Sequence, residues 1–215
     1  EKLIKKAIKS YPQNPVFKVD YAFYYEKINK KTDSDKMLQK IINEAAGNIQ
    51  LTENLGDYLL KTDKREEAKQ LYIASRVKHK NSYLFADKLG RIYKSEGNVE
   101  LMLDELINCT KNGITLEQVQ GQLQNFTESP EDIVLLRKVI LRKSQKEPDD
   151  FQYSELLIWV YIQEQDFYGA YMQAKAVDKR FNLQGQKLMD LGKVAVDNKD
   201  YETAILCYEY VSKEY

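Results

Sequence analysis

The chain has few residues of the types that usually carry catalysis or bind metals. Its 215 residues include one histidine, one tryptophan and two cysteines. His79, Cys109 and Cys207 lie too far apart for the ligand spacings of common zinc sites. The sequence contains no glycine-rich phosphate-binding motif and no nucleophile-elbow motif. We therefore predict a chain that is not an enzyme, with no catalytic residue, no metal site and no cofactor.

Excess charge and long apolar runs are missing as well. Lysine and arginine number 33 together, as do aspartate and glutamate. Nucleic-acid binding depends on many phosphate contacts from basic side chains, so this balance predicts no nucleic-acid partner. The longest apolar run, residues 156–162, is far shorter than the ~20 residues of a membrane-spanning helix. We predict no membrane span, and we interpret the two cysteines as free, partly buried thiols.

Apolar residues make up 43% of the chain and recur with helical spacing. The pattern is clearest in residues 186–215, where Leu188, Leu191 and Ala195 share one helical face. After a short polar turn, Ala204 and Tyr208 share a face of a second helix. One such helical hairpin cannot bury its apolar face alone, so the pattern predicts neighbours of the same kind.

The segments LxxLGxxA, KDYETAI and CYEYV in this region resemble the tetratricopeptide repeat, a 34-residue helical hairpin. We number Gly185 as position 1 and place the starts of earlier repeats at intervals of 34 residues. Position 7 is then Leu or Tyr in every repeat, and many of the residues at positions 8 and 20 are small. No insertion is needed in any repeat. The resemblance divides the whole chain into a partial repeat and six further repeats: 1–14, 15–48, 49–82, 83–116, 117–150, 151–184 and 185–215.

The resemblance implies an all-α fold, a single right-handed superhelix of about thirteen antiparallel helices. Each repeat would contribute an A helix and a B helix, and residues 1–14 a B helix alone. Repeat four departs from the pattern, since Gln124 and Leu136 replace small residues. We expect wider helix spacing or a bend there, although Ser129 and Pro130 form a strong helix start.

Both ends of the chain fall within a repeat, so we expect a fragment of a longer protein. The last helix carries apolar residues that nothing after it would cover, which leaves an end-to-end homodimer as the alternative. Lys, Asn, Ile and Tyr are abundant. This composition is typical of AT-rich genomes and suggests a bacterial source.

In the resembled family, A-helix positions opposite the core line a concave groove that binds partners. Position 9 of this stripe is occupied in the six repeats by Phe23, Asp57, Arg91, Asn125, Trp159 and Lys193. Repeat five adds Leu156 and Ile162 to the stripe. Trp and Arg are enriched in interface hot spots. We therefore predict that these eight residues contact a protein partner, with Trp159, Leu156 and Ile162 as apolar anchors.

Other interpretations of these residues stay open. Neighbouring helices could cover the A helix of repeat five, in which case Trp159 packs internally. Arg91 and Asp57 could belong to a solvated, salt-bridged face. The family's lysine clamp for a chaperone's C-terminal carboxylate is absent, because position 5 never carries lysine. The predicted function is a scaffold for an extended peptide or a partner helix. The alternative is a regulatory or substrate-presenting arm of a larger enzyme or sensor.

Overall fold

The computed structural model describes residues 1–127 and 129–215, which contain thirteen α-helices, one 3₁₀ helix and no strand. The predicted all-α fold is confirmed, and consecutive helices pack as hairpins in the pairs α2–α3, α4–α5, α10–α11 and α12–α13. Glu128, which the sequence pattern places on the stripe of repeat four, lies outside the described residues.

The contacts group the chain into two compact units, Glu1–Gly97 and Asn98–Tyr215. The division of one solenoid into a partial repeat and six further repeats stays a prediction. In the first unit, α2 packs against α3 and α4 against α5, while the B helices α3 and α5 also pack together. Its helices are α1 (Lys2–Ser10), α2 (Pro15–Lys27), α3 (Lys31–Ala45), α4 (Ile49–Lys61), α5 (Arg65–His79) and α6 (Ala86–Ser95).

In the second unit, α10 packs against α11 and α12 against α13, and the B-helix pairs α7–α9 and α11–α13 are in contact. Its helices are α7 (Val99–Asn108), α8 (Leu116–Gln124), α9 (Pro130–Lys146), α10 (Phe151–Gln163), α11 (Phe167–Phe181), α12 (Gln186–Asp197) and α13 (Tyr201–Glu214), with the 3₁₀ helix Cys109–Asn112 after α7. The A helices of the six repeats are therefore α2, α4, α6, α8, α10 and α12.

The turn from A helix to B helix has the same backbone conformation in five of the six repeats. Position 15 has a positive φ between 58° and 71°, at Asn29, Asp63, Gly97, Gln165 and Lys199. In four of these turns the next amide donates to the carbonyl five residues earlier, which closes the A helix as in a Schellman motif. One left-handed residue thus sets each turn, and the short turn lets the helices pack as hairpins in the pairs α2–α3, α4–α5, α10–α11 and α12–α13.

Hairpin closure depends on matching a small residue in the A helix with a large one in the B helix. A Cβ added to Gly56 on α4 would overlap the ring and hydroxyl of Tyr72 on α5. Gly192 on α12 faces Tyr208 on α13 in the same way, with an added Cβ 2.7 Å from the ring. These pairs occupy positions 8 and 24 of their repeats, so the glycine allows the tyrosine to lie across the A helix.

Repeat four does not form a hairpin of this kind. Helices α8 and α9 both pack against α7 and α10, but residues 116–124 and 130–146 show no comparable packing against each other. Gln124 holds the position of the small residue and is exposed, whereas Leu136 is buried. The wider spacing expected from these two substitutions is therefore present, and Ser129 starts α9 with a capping box to Asp132, as predicted.

A charged network joins α7 to α9. The Lys143 ammonium, only 8% exposed, donates to Asp104 at 3.0 Å and to Asn108 at 2.5 Å. Arg142 donates to Glu100 at 2.5 Å and to Asp104 at 3.1 Å. Buried ion pairs contribute little net stability, but removal of one partner leaves an uncompensated charge. The network therefore fixes the register of α7 on α9.

The last helix is more enclosed than the sequence analysis expected. Tyr210 is buried, and its hydroxyl donates to the fully buried carboxylate of Asp178 at 3.2 Å. Asp178 also accepts from the Tyr215 hydroxyl at 2.8 Å and the Gly185 amide at 2.7 Å. Burial and the Asp178 hydrogen bond raise the pKa of Tyr210 to about 12. Ile205 remains 56% exposed, but much of the apolar face predicted for end-to-end pairing is packed within the unit.

We expect Gly56→Ala to destabilise the chain by about 1–3 kcal/mol, because its methyl group would enter space held by the fully buried Tyr72. Gly121→Ala is the matched control. Gly121 lies in α8 with nothing near its Cβ position, so alanine should stabilise the helix by about 0.5–1 kcal/mol. Urea unfolding followed by circular dichroism measures both. Equal effects of the two substitutions would contradict the packing account.

A second pair of substitutions tests the left-handed conformation at position 15. Gly97 has φ +71° and no atom within 4 Å of its Cβ position, so Gly97→Ala should cost about 1 kcal/mol through backbone strain alone. Lys199→Gly should have the opposite sign, because Lys199 already has φ 64°. Thermal unfolding of both variants provides the measurement. A stabilised Gly97→Ala variant would be inconsistent with this turn conformation.

Candidate peptide-binding surfaces

The eight residues predicted to contact a partner are divided between the two units. Phe23, Asp57 and Arg91 lie on the A helices of the first unit. The second unit holds Asn125, Leu156, Trp159, Ile162 and Lys193. Each unit therefore presents its own candidate surface, called here the first A face (on α2, α4 and α6) and the second A face (on α8, α10 and α12).

A charged pair between two consecutive A helices lies on the first A face. The Lys88 ammonium on α6 lies 2.7 Å from the carboxylate of Asp57 on α4, and the Asp57 side chain is 42% exposed. Arg91, one turn after Lys88, is exposed. Asp57 therefore lies in a salt-bridged face, as one interpretation of the sequence held, while Arg91 presents its guanidinium to solvent.

Phe23 is half-buried on α2 and packs against the core of the first unit. The Lys64 ammonium lies 4.3 Å from the Phe23 ring centroid and 3.2 Å from the Glu26 carboxylate. A cation over an aromatic face is attracted by the ring quadrupole. Lys64 thus covers part of the ring, which leaves Phe23 a partly covered apolar contact.

A tyrosine–aspartate pair on this face was missed by the sequence analysis. The Tyr58 hydroxyl on α4 donates to Asp20 on α2. Burial, followed by this hydrogen bond, raises the pKa of Tyr58 to about 12. Asp20–Tyr58 and Glu26–Lys64 are both separated by 38 residues, one repeat plus about one helical turn. A search for complementary residues at that separation could have found them.

The second A face is open on two of its three helices. Asn125, at the C-cap of α8, and Lys193 on α12 are both exposed. Met189 and Val196 on α12 are 36% and 42% exposed. Lys193 approaches only Asp190, at 3.7 Å, a distant pair between two largely exposed side chains. Such pairs contribute little, so the Lys193 charge remains accessible to a partner.

Trp159 and Ile162, on the central helix α10, are half-buried. Ile162 packs against the apolar cluster formed by α10, α11, α12 and α13. Helix α10 contacts α8, and Glu155 on α10 accepts from Lys187 on α12 at 2.5 Å. The stripe of α10 is therefore continuous with both neighbouring A helices, and the indole of Trp159 is partly accessible.

The prediction of Leu156 as an open apolar anchor is wrong, because its side chain has no exposed area. Helix α10 packs against α8, α9 and α11, and six of its thirteen residues are buried. A helix with three neighbours buries most of its circumference, including positions that a helix with fewer neighbours leaves in water. Coverage by neighbouring helices, the alternative interpretation for repeat five, therefore applies to Leu156.

Within 1–127 and 129–215, no group of three or more His, Cys, Asp or Glu side chains is arranged to hold a metal ion. None of the helices in those ranges is long and apolar enough to cross a membrane. Cys109 and Cys207 are free and buried, and burial raises the pKa of Cys207 to about 11. His79 is an exposed residue at the end of α5.

Comparison with known proteins gives structural likenesses only. No protein-family model matches the chain, and no match is found among curated proteins. A tetratricopeptide repeat protein from Parabacteroides merdae is 13% identical with a TM-score of 0.37, over 99% of this chain and 84% of that one. PilF of Pseudomonas aeruginosa is 10% identical with a TM-score of 0.35, over 96% and 94%.

PilW, described as a type IV pilus biogenesis factor, is 11% identical with a TM-score of 0.39, over 94% of both chains. At these scores the likenesses carry no argument about function.

The raised pKa of Tyr58 can be measured by alkaline titration of tyrosine absorbance. An ordinary phenol titrates near pH 10, whereas Tyr58 should titrate near pH 12. The folded state favours the protonated phenol, so this contribution to stability is complete below pH 10 and is lost as the pH rises through about 12. Tyr58→Phe should remove one late-titrating phenol. An unchanged late phase in that variant would contradict the assignment.

Proposed function

We propose that this chain is a non-catalytic scaffold that binds an extended peptide or a partner helix on its A faces. The observation that carries the proposal is the second A face, where the stripes of α8 and α12 are exposed on either side of the half-buried Trp159. A stable helical array does not require a tryptophan at this position. An indole that is only partly covered can contribute a large apolar contact area to a partner.

The residues around Trp159 favour a particular type of ligand. Asn125 offers an amide that can both donate to and accept from a peptide backbone. Lys193 offers an ammonium with only a distant partner in Asp190, and Met189 adds an exposed, adaptable thioether. Together they fit an extended segment with one large apolar side chain followed closely by a carboxylate.

The first A face would contribute selectivity more than affinity. Asp57 and Lys88 already neutralise each other, and so do Glu26 and Lys64. A partner gains little by competing with these pairs, but like charges placed beside them are disfavoured. Arg91 is an exposed cation on this face and would pair with an acidic residue of the ligand.

The proposal predicts that stability and binding depend on different residues of α10. Leu156→Ala should destabilise the chain by about 3 kcal/mol, because it empties a fully buried site. Trp159→Ala should be less destabilising, since the indole is half-buried, yet it should weaken peptides selected by phage display on the intact chain by roughly tenfold or more. Fluorescence anisotropy of labelled peptides measures the affinities.

Tyr168→Ala is the matched control for binding. Tyr168 is an aromatic residue on α11 with 58% of its surface exposed, outside both A faces. Peptides selected on the intact chain should keep their affinity for this variant within about twofold. If Tyr168→Ala and Trp159→Ala weaken binding equally, or if no peptide can be selected, the second A face is not the binding surface.

A further inference from the structure

A cavity of about 530 Å³ lies between α1 and α3, beside α2 and away from both A faces. It arises from a gap in the row of B helices. Helices α3 and α5 pack together, whereas α1 packs on α2 and, across residues 1–97, makes no comparable contact with α3. The volume is within the range of ligand-binding pockets, roughly 300–1,000 Å³.

The floor of this α1–α3 cavity is apolar. Ile41 is buried, and Ile8, Tyr21 and Met37 are half-buried and contribute the rest of the apolar lining. The Tyr21 hydroxyl is held by Tyr25 at 3.2 Å, so its ring is fixed at the edge of the floor. A floor of this composition favours aliphatic side chains of a ligand over a hydrated polar group.

The rim of the cavity is strongly basic in a chain whose total charge is balanced. Four lysines and one glutamate line it: Lys5, Lys9, Lys18, Lys40 and Glu44. Lys5 pairs with Glu1 at 2.5 Å, and Lys18 approaches Glu44 at 3.8 Å. Neither Lys9 on α1 nor Lys40 on α3 has an ion-pair partner among the described residues. Each of the two walls therefore carries an exposed ammonium without an ion pair, above an apolar floor.

We propose that the α1–α3 cavity binds an acidic peptide segment whose apolar side chains enter the cavity while its carboxylates pair with Lys9 and Lys40. The placement of cations on both walls distinguishes this ligand from a single-headed amphiphile, whose one carboxylate could satisfy only one wall. A nucleic acid would match the lysines but would offer no aliphatic groups to the floor. This site is separate from the A faces, so the inference does not depend on the proposed function.

The test uses the intact chain and a labelled synthetic peptide that alternates short glutamate runs with leucine. Lys9→Gln combined with Lys40→Gln should weaken binding roughly tenfold, because two exposed charge contacts are lost. Glutamine retains helix propensity, so both helices should remain folded. The control is Lys31→Gln with Lys36→Gln, which removes two exposed charges from α3 outside the cavity and should change affinity less than twofold.

Three further measurements complete the test. A photoreactive leucine in the peptide should cross-link the unmodified chain at α1 or α3, a result that needs no variant to fold. Trp159→Ala should leave this affinity unchanged, which separates the site from the second A face. Sodium dodecanoate should not displace the peptide. The proposal would be overturned if the peptide did not bind, if both lysine pairs lost affinity equally, or if the cross-links lay outside α1 and α3. It would also be overturned if Trp159→Ala weakened binding or if dodecanoate displaced the peptide.

Discussion

The close approach of A and B helices depends on the combined volume of the side chains at positions 8 and 24. Gly56 with Tyr72 and Gly192 with Tyr208 place a glycine against a ring, and neither glycine can accept a Cβ without displacement of its tyrosine. Repeat five reverses the arrangement, since Ile158 occupies position 8 and Ala174 occupies position 24 of the same buried cluster. Either arrangement keeps the total volume small enough for two helices to pack at native density. In these three repeats the closure sets how the A helix lies on its B helix.

The sequence was sufficient to predict the helices because their ends are determined locally. One left-handed residue at position 15 closes the A helix, and Asn98, Asp166 and Asp200 at position 16 cap the B helices that follow. Burial in the candidate site was harder to predict. Helical periodicity identifies the face opposite the core, but not how many neighbours a helix has. Leu156 lies on that face and is nonetheless buried, because α10 has three neighbours.

Repeat four shows how the array tolerates a hairpin that does not close. Repeat four holds Gln124 at position 8 and the buried Ile140 at position 24, so neither position is small. Helices α8 and α9 do not pack closely, and α9 is instead fixed to α7 through Lys143, Arg142 and Asp104. Charged contacts need specific geometry, whereas apolar contacts tolerate sliding. The network therefore fixes the position of α9 along α7, as the matched side chains at positions 8 and 24 do for the two helices of a closed hairpin. No periodic pattern predicts the network, because its members come from two different B helices.

The distribution of charge suggests why the two kinds of surface would recruit partners differently. On the first A face, Asp57 with Lys88 and Glu26 with Lys64 satisfy each other, so a ligand gains little net electrostatic energy there. Affinity on the A faces must then come from partly covered apolar groups, of which Trp159 has the largest side chain. In the α1–α3 cavity, Lys9 and Lys40 remain uncompensated beside an apolar floor, and an acidic ligand adds ion pairs without disrupting existing ones. Salt should therefore weaken binding at the cavity far more than binding at the second A face.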